Sequence, residues 1–212
     1  MQGGWTRIGE VSWLLEHGAE APIPAELLAV PGVVETWRTA FGTAISTDLA
    51  SFDLASLDSV PRSEALGRSG RVLTVPVDYS RGEDLTEAAH VLGVDPDQVV
   101  ECHSGAEYVC VSVGFAPGFA YLSPLVEPLS RLNRRPSPRP RVEPGKVAVA
   151  LGSTGVYPKG TPGGWWLLGQ TPAIVCDWRT GYFGIEIGDT VRFLPISTEE
   201  FDQMVGKRLC DV

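Results

Sequence analysis

From Tyr108 to Leu194 the chain never sustains a helical period. Short apolar stretches recur instead, and glycine or proline stops each one. Tyr108 to Val113 alternates strictly, with Tyr108, Cys110 and Ser112 on one side and Val109, Val111 and Val113 on the other, which is the period of a half-buried strand. Val147 to Leu151, Trp165 to Leu168, Ala173 to Trp178 and Thr190 to Leu194 are further strand candidates, the last behind a Gly188-Asp189 turn. Gly (24) and Pro (17) make up about a fifth of the 212 residues, well above the usual share of roughly 12%. They show no collagen-like period, so the excess belongs to turns. Many short strands separated by turn chemistry predict a barrel or a sandwich.

Upstream, Val72 to Val77 reads as a strand. Asp84 is the expected cap of a helix reaching Leu92, in which Leu85, Ala88, Ala89 and Leu92 share a face and Gly93 ends the run. Asp95-Pro96 opens a second short helix whose apolar side includes Val99 and Val100. The first part of the chain differs in texture. Trp5 to Glu16 reads as one strand and Ile23 to Leu28 as a short helical stretch. After a Pro31-Gly32 turn, Val33 to Trp37 and Thr43 to Ser46 read as partner strands, and Asp53 to Leu57 as weakly helical. The polar stretch Ser59 to Arg71 carries Pro61, Gly67 and Gly70 and suits a domain junction. The expected organisation is therefore mostly β, with a small α+β domain over 1–71 and a β-rich domain over 72–212.

A net charge of −9 and a pI near 4.8 give no electrostatic reason to bind nucleic acid or a membrane surface. No stretch approaches the ~20 apolar residues of a membrane-spanning helix. Cys102, Cys110, Cys176 and Cys210 form no C-x-x-C pair, and Met1 to Ile8 lack an apolar leader core. Four free thiols in a reducing cytoplasm is the expectation. His17, His90 and His103 lack metal-ligand spacing, so no metal site is expected. There is no G-x-S-x-G elbow. Gly155 to Gly160 has G-x-x-x-x-G spacing, but Thr161 follows without the lysine of a phosphate loop.

Three stretches remain as carriers of chemistry. Gly114 to Leu122 sets Phe115, Phe119 and Tyr121 among Gly114, Pro117 and Gly118. Such a loop walls a ligand pocket or simply plugs a barrel end. Arg134-Arg135-Pro136-Ser137-Pro138-Arg139-Pro140-Arg141 reads as a stiff polyproline arm. Its arginines bind carboxylate or phosphate, or pair with surface acids. Gly152 to Trp165 combines Thr154, Tyr157, Lys159, Thr161, Pro162, Gly163 and Gly164, an anion cradle or a wide β loop. His103 follows Cys102, and neighbours on a strand face opposite ways, which counts against a catalytic pair. A lone histidine is more often structural.

These stretches resemble the family of the B-type 5-oxoprolinase subunit, also called allophanate hydrolase subunit 1, which includes the sporulation-kinase inhibitor KipI. The resemblance rests on several segments in family order across roughly residues 72–195. They are Val75 to Tyr79, Val99 to Ser104, Glu107 to Val109, Gly114 to Leu122, Pro138-Arg139, Thr154 to Pro158, Thr161 to Trp165 with Leu168 to Thr171, and Gly188 to Phe193. Where the family usually reads V-P-A-G-S-V, this chain has Val142-Glu143-Pro144-Gly145-Lys146-Val147.

The resemblance implies a cyclophilin-like barrel behind a small α+β domain. It also implies a role in ATP-dependent opening of 5-oxoproline to glutamate, with ATP and Mg supplied to the complex. The implied partners are a homologous protein like the C-type 5-oxoprolinase subunit, and a LamB/YcsF-family protein. On that reading Arg139 clamps an anion, and His103 and Tyr157 are candidates for hydrogen bonding or proton transfer. The small-molecule pocket is formed by Phe115, Pro117, Gly118, Phe119, Tyr121, Thr154, Thr161, Pro162, Gly163, Gly164 and Trp165. The alternatives are a KipI-like protein that grips a histidine kinase, and a component acting on allophanate or another urea derivative as amidohydrolase or carboxyltransferase. Prolyl isomerisation would rest on fold analogy alone.

Overall fold

The computed structural model describes residues 5–7, 12–16, 25–39, 42–48, 50–59 and 70–212. Two compact units emerge, Met1–Ser69 and Gly70–Val212. In the first, β1 (Trp5–Arg7), β2 (Ser12–Glu16), β3 (Val33–Thr39) and β4 (Gly42–Thr47) form an antiparallel sheet in the order β1-β2-β4-β3. The stretch read as one strand from Trp5 to Glu16 is thus two strands that pair with each other, Trp5 opposite Leu15. Short 3-10 turns at Ala25–Ala29 and Leu54–Ser59 bring Leu27 and Leu57 onto Val30 and Ile45 as a small core. His17 lies outside the described residues.

The second unit opens with β5 (Val72–Val77), α1 (Leu85–Leu92) and α2 (Pro96–Ser104). There follow β6 (Glu107–Val113), β7 (Ala120–Ser123), β8 (Arg139–Val142), β9 (Lys146–Ala150), β10 (Ser153–Val156), β11 (Thr161–Gly163) and β12 (Trp166–Gln170). The chain finishes with β13 (Cys176–Asp177), β14 (Tyr182–Phe183), β15 (Thr190–Pro195) and α3 (Thr198–Met204). Seven strands make one sheet in the order β12-β9-β10-β7-β6-β15-β5. Its two outer strands meet where the Asp78 N–H donates to the Gln170 carbonyl at 2.9 Å and the Gln170 N–H to the Asp78 carbonyl at 3.0 Å. The sheet is thereby nearly closed into a barrel, which removes most of the exposed edge that an open sheet would carry.

Val75, Val77, Tyr108, Leu122, Val147, Val149, Leu168 and Phe193 fill the main core, and Ala88, Ala89, Leu92 and Val99 of the two helices join it. Val99 is fully buried, as the reading of α2 required, and His90 is exposed. The four cysteines are unpaired. Among the described residues no helix is long and apolar enough to cross a membrane.

Some expected strands shift. Ala173 to Trp178 yields only β13, because its first residues bond elsewhere: the Ile174 N–H donates to the Lys207 carbonyl at 2.8 Å and the Ala173 N–H to Thr171 Oγ1 at 3.2 Å. Conversely, β7, β8, β10 and β11 occupy stretches read as loop or polyproline arm. Ladder partners decide those positions, overriding the poor strand propensity of Gly and Pro.

At one end of the barrel Asp189 ties the first strand to the last. Its buried carboxylate accepts from the Arg71 N–H at 2.9 Å, from Arg71 Nη2 at 2.5 Å and from the Glu186 N–H at 2.9 Å. Burial pushes this carboxyl up, but the Arg71 and Glu186 donors outweigh it and hold Asp189 below the usual carboxylate range. The depressed value stabilises the fold above the unfolded-state pKa, and that contribution fades as pH falls through the folded value. Asp189→Ala is expected to lower stability at pH 7 by about 1–3 kcal/mol, since it strips two backbone donors and a guanidinium of their acceptor. A urea midpoint unchanged from wild type would show that the tie contributes nothing.

Candidate functional site

The loop between β6 and β7 folds back on itself. The Gly114 N–H donates to the Phe119 carbonyl at 3.0 Å and the Phe119 N–H to the Ala116 carbonyl at 3.0 Å. Phe115 sits at φ 68°, a conformation bulky residues rarely adopt, and the residue is 63% exposed. Phe119 is buried and is the hub of an aromatic cluster. Its ring meets Phe115 at 5.5 Å, Tyr121 at 5.0 Å, Tyr157 at 5.2 Å and Trp165 at 5.4 Å, all edge to face. That geometry sets positive ring edges on negative ring faces, which favours this arrangement beyond the area it buries.

Against this cluster lies a cavity of about 220 Å³. Phe115, Phe119, Tyr121, Tyr157 and Trp165 supply its aromatic wall, and Pro162, Gly163 and Gly164 a backbone wall. Pro138 and Arg134 complete it. Gly163 is required here: a Cβ at that position would lie 2.2 Å from the Tyr157 hydroxyl oxygen. Burial pushes the Tyr157 phenol up, and a backbone hydrogen bond from Trp165 only partly offsets this. Tyr157 therefore stays protonated at neutral pH and is a hydrogen-bond donor rather than a base.

Eight of the expected pocket and catalytic residues thus come together: Phe115, Phe119, Tyr121, Tyr157, Pro162, Gly163, Gly164 and Trp165. The others stand elsewhere. Pro117 is exposed outside the lining, and Gly118 (φ 79°) packs on Cys176, whose Cβ would be 2.4 Å from an added Cβ. Thr161 is on β11 opposite Val142, and its Oγ1 is buried without a hydrogen-bond partner. The expected anion cradle does not extend through Thr154 to Val156. Those residues form the β9–β10 ladder, Thr154 opposite Val149 and Val156 opposite Val147, and Gly155 packs on the Ala120 carbonyl.

The arginine arm is also rebuilt. Arg139 and Arg141 are on β8, with Arg139 opposite Gly163 of β11. Asp84, the expected helix cap, makes no side-chain cap bond. Its buried carboxylate accepts instead from Arg139 Nη2 at 2.6 Å and the Leu167 N–H at 2.8 Å, and pairs with Arg135 Nη1 at 3.0 Å. Glu83 approaches Arg139 Nε at 3.6 Å, Glu87 holds Arg135 Nη1 at 2.7 Å, and Glu143 holds Arg141 Nε at 2.6 Å. Lys146, where this chain leaves the family pattern, is buried between Glu83 Oε1 at 3.0 Å and the Arg81 carbonyl at 3.1 Å. Arg139 therefore lies outside the cavity lining with its charge already met by acids, although its Nη1 is buried without a partner. Arg134 is the arm's arginine in the cavity wall and has no ion pair among the described residues. Sequence reading named it only as one of four arginines. Its separation from its neighbours depends on which acids lie nearby in space.

His103 is on α2 and not on a strand, so the strand argument about Cys102 does not apply. On a helix, successive side chains still diverge by about 100°. The ring is fully buried in the barrel, outside the cavity. Nε2 lies 2.8 Å from Thr154 Oγ1 and Nδ1 lies 2.7 Å from the Tyr79 hydroxyl. Because Thr154 donates its own proton to the Ala148 carbonyl at 3.1 Å, it accepts from Nε2–H. Nδ1 then accepts from Tyr79, and every polar atom of the neutral ring is satisfied. Burial pushes this histidine down to about 3. His103 and Thr154 thus serve the core and do not line the cavity. Among the described residues no three His, Cys, Asp or Glu side chains group as a metal site.

His103 and Arg139 can each be tested through stability. A histidine whose folded pKa lies below its unfolded value of about 6.5 binds fewer protons in the native state. Stability should therefore fall as pH drops below 6.5, with a slope approaching about 1.4 kcal/mol per unit. Between pH 6.5 and 5, above the carboxylate range, His103→Gln should be less stable overall but should lose this slope; an unchanged slope would remove His103 as its source. Arg139→Ala should lower stability by about 1–3 kcal/mol, because the buried Asp84 carboxylate loses a charged donor. A denaturant midpoint equal to wild type would show that Arg135 and Leu167 suffice.

A family model for the carboxyltransferase domain, subdomain C and D, matches residues 19–180. The B-type 5-oxoprolinase subunit of Escherichia coli O157:H7 is 38% identical over 180 residues, covering 82% of this chain and 79% of that protein. Its counterpart of the same name in Bacillus subtilis (strain 168) is 38% identical over 134 residues, 62% of this chain, and the match spans 55% of that relative's length. The crystal structure of TTHA0988 superimposes with a TM-score of 0.69 at 36% identity, over 88% of this chain and 40% of that one. Kluyveromyces lactis urea amidolyase shares the fold, with a TM-score of 0.67 at 17% identity over 94% of this chain and 15% of that one. On the match of motifs, barrel and relatives together, the chain belongs to the family of the B-type 5-oxoprolinase subunit, built on the carboxyltransferase subdomain C and D fold.

Proposed function

We propose that the chain is a component of an ATP-driven lactam hydrolase that opens 5-oxoproline to glutamate, and that the aromatic cavity receives the lactam. The observation that carries this reading is the cavity, in which the Tyr157 phenol and a glycine backbone face a wall of aromatic rings. At about 220 Å³ it is below the ~300–1,000 Å³ usual for drug-sized ligands. It suits a small ring and is too small for a nucleoside triphosphate. ATP, with Mg, is therefore assigned to the assembled complex and not to this cavity. The proposed partners are a homologous protein like the C-type 5-oxoprolinase subunit, and a LamB/YcsF-family protein. The proposed location is the cytoplasm.

A lactam resists water because its amide is resonance-stabilised. Transfer of the γ-phosphoryl group to the lactam oxygen, with release of ADP, turns that oxygen into a leaving group. Water then adds to the ring carbon and the C–N bond breaks, which frees the amine and leaves an acyl phosphate. A second water hydrolyses that acyl phosphate to the side-chain carboxylate of glutamate and phosphate. This chain's residues would bind and orient the ring against the aromatic wall that includes Trp165, exclude bulk water, and offer the Tyr157 O–H to the carbonyl oxygen as charge builds there. A carboxyl-transfer reaction on a urea derivative is the second reading. The carboxyltransferase name of the matching family model favours it. A KipI-like kinase inhibitor is the third, and kinase binding in place of complex formation would mark it.

The test is 5-oxoproline-dependent ATP hydrolysis and glutamate release by the chain alone and mixed with its candidate partners. Activity is expected only in the mixture. Tyr157→Phe should cut turnover in that mixture at least ten-fold, about 1.4 kcal/mol of transition-state stabilisation. Near-normal turnover would remove the phenol from the mechanism, and an inactive mixture whose components bind one another would redirect the substrate assignment to urea derivatives.

A further inference from the structure

Of the four arginines in the arm, three are spent on acids. Arg135 and Arg139 share Asp84, and Arg141 holds Glu143. Arg134 makes no ion pair among the described residues, in a chain with 26 acidic and 17 basic residues. It lies in the cavity wall beside Pro138 and Gly164. Its backbone is held from both sides. The Asn133 carbonyl accepts from the Trp166 indole N–H at 2.7 Å, and the Arg135 N–H donates to the Gly164 carbonyl at 2.8 Å. Arg134 thus lines the cavity from a pinned backbone and is itself exposed to solvent, and its charge, together with that of Arg139, acts on the Tyr157 phenol.

We infer that Arg134 is the specificity residue of this cavity and reads a carboxylate on a small cyclic ligand. A guanidinium left unpaired against aromatic walls favours a planar anion that meets its N–H fork bidentately. The ring then lies on Phe119 and Trp165, and a carbonyl at the far end of the ligand meets the Tyr157 hydroxyl. A neutral lactam or amide of the same shape keeps the ring contacts and leaves the guanidinium unanswered, so it binds more weakly. The identity of the ring rests on the lactam reading above; the carboxylate preference does not.

Trp165 in the wall supplies a fluorescence signal, with Trp165→Phe as its control. Quenching would be titrated with L-5-oxoproline, cyclopentanecarboxylate, 2-pyrrolidone and cyclopentanecarboxamide, on the chain alone and in the reconstituted mixture. Wild type should bind the two carboxylates at least ten-fold more tightly than the two neutral compounds, about 1.4 kcal/mol. Arg134→Gln should abolish that preference, Arg134→Lys should keep part of it, and Arg141→Gln should match wild type. In the active mixture Arg134→Gln should raise KM for 5-oxoproline at least ten-fold and change kcat far less. A wild type without carboxylate preference in either setting, or a preference that survives Arg134→Gln, overturns the assignment. Carboxylate binding through Arg134 with no lactam hydrolysis in any mixture would leave the assignment standing and sink the 5-oxoproline reading. Hydrolysis with an unchanged KM in Arg134→Gln would do the reverse.

Discussion

The buried carboxylate of Asp84 organises much of what surrounds the cavity. A charge taken out of water costs several kcal/mol unless it is paired and hydrogen-bonded. Asp84 meets that demand from three directions, with Arg139 of β8, Arg135 of the arm and the Leu167 N–H of β12. The start of α1, the arm and the barrel wall are therefore fixed to one point. The same pairing draws two cations away from the cavity and leaves Arg134 there. Lys146 extends the cluster through Glu83, which gives the unusual Glu143-Pro144-Gly145-Lys146 stretch a structural reason.

Two other arrangements divide the polar work of the barrel. His103 is held neutral in the interior by Tyr79 and Thr154, with each proton's place set by the Ala148 carbonyl at the end of the chain of bonds. Tyr157 has a similar polar group but reaches the cavity, where its proton remains available to a ligand oxygen. Burial shifts both groups toward their neutral forms. Only the second has access to a substrate. Phe115, whose φ of 68° departs from ordinary backbone preference, also belongs to this site.

Much of the framework was legible in the residues. Val72 to Val77, the α1 face of Ala88, Ala89 and Leu92, and the alternation through Tyr108 and Cys110 follow from local periodicity, and the structure has them where that periodicity places them. The aromatic loop and the Pro162-Gly163-Gly164-Trp165 run were legible as one site, and they do line one cavity. Strands at Ser153–Val156 and Arg139–Val142 were not, because glycine and proline there speak for turns until a partner strand supplies the ladder. His103 was misplaced for a related reason: the strand assumed for it is the last turn of a helix.

By itself the sequence determined the β-rich class, the approximate place of its strands, and the family, since these depend on short-range patterns and on motifs that keep their order along the chain. Only the tertiary structure decided which arginine faces the cavity. Arg139 and Asp84 are 55 residues apart in the chain, and charge pairing depends on distance in space. Closure of the barrel at Asp78 and Gln170 was decided in the same way, because backbone hydrogen bonds between strands leave no mark on side-chain order. Composition supplied four arginines of equal promise, and the positions of the folded acids neutralised three of them.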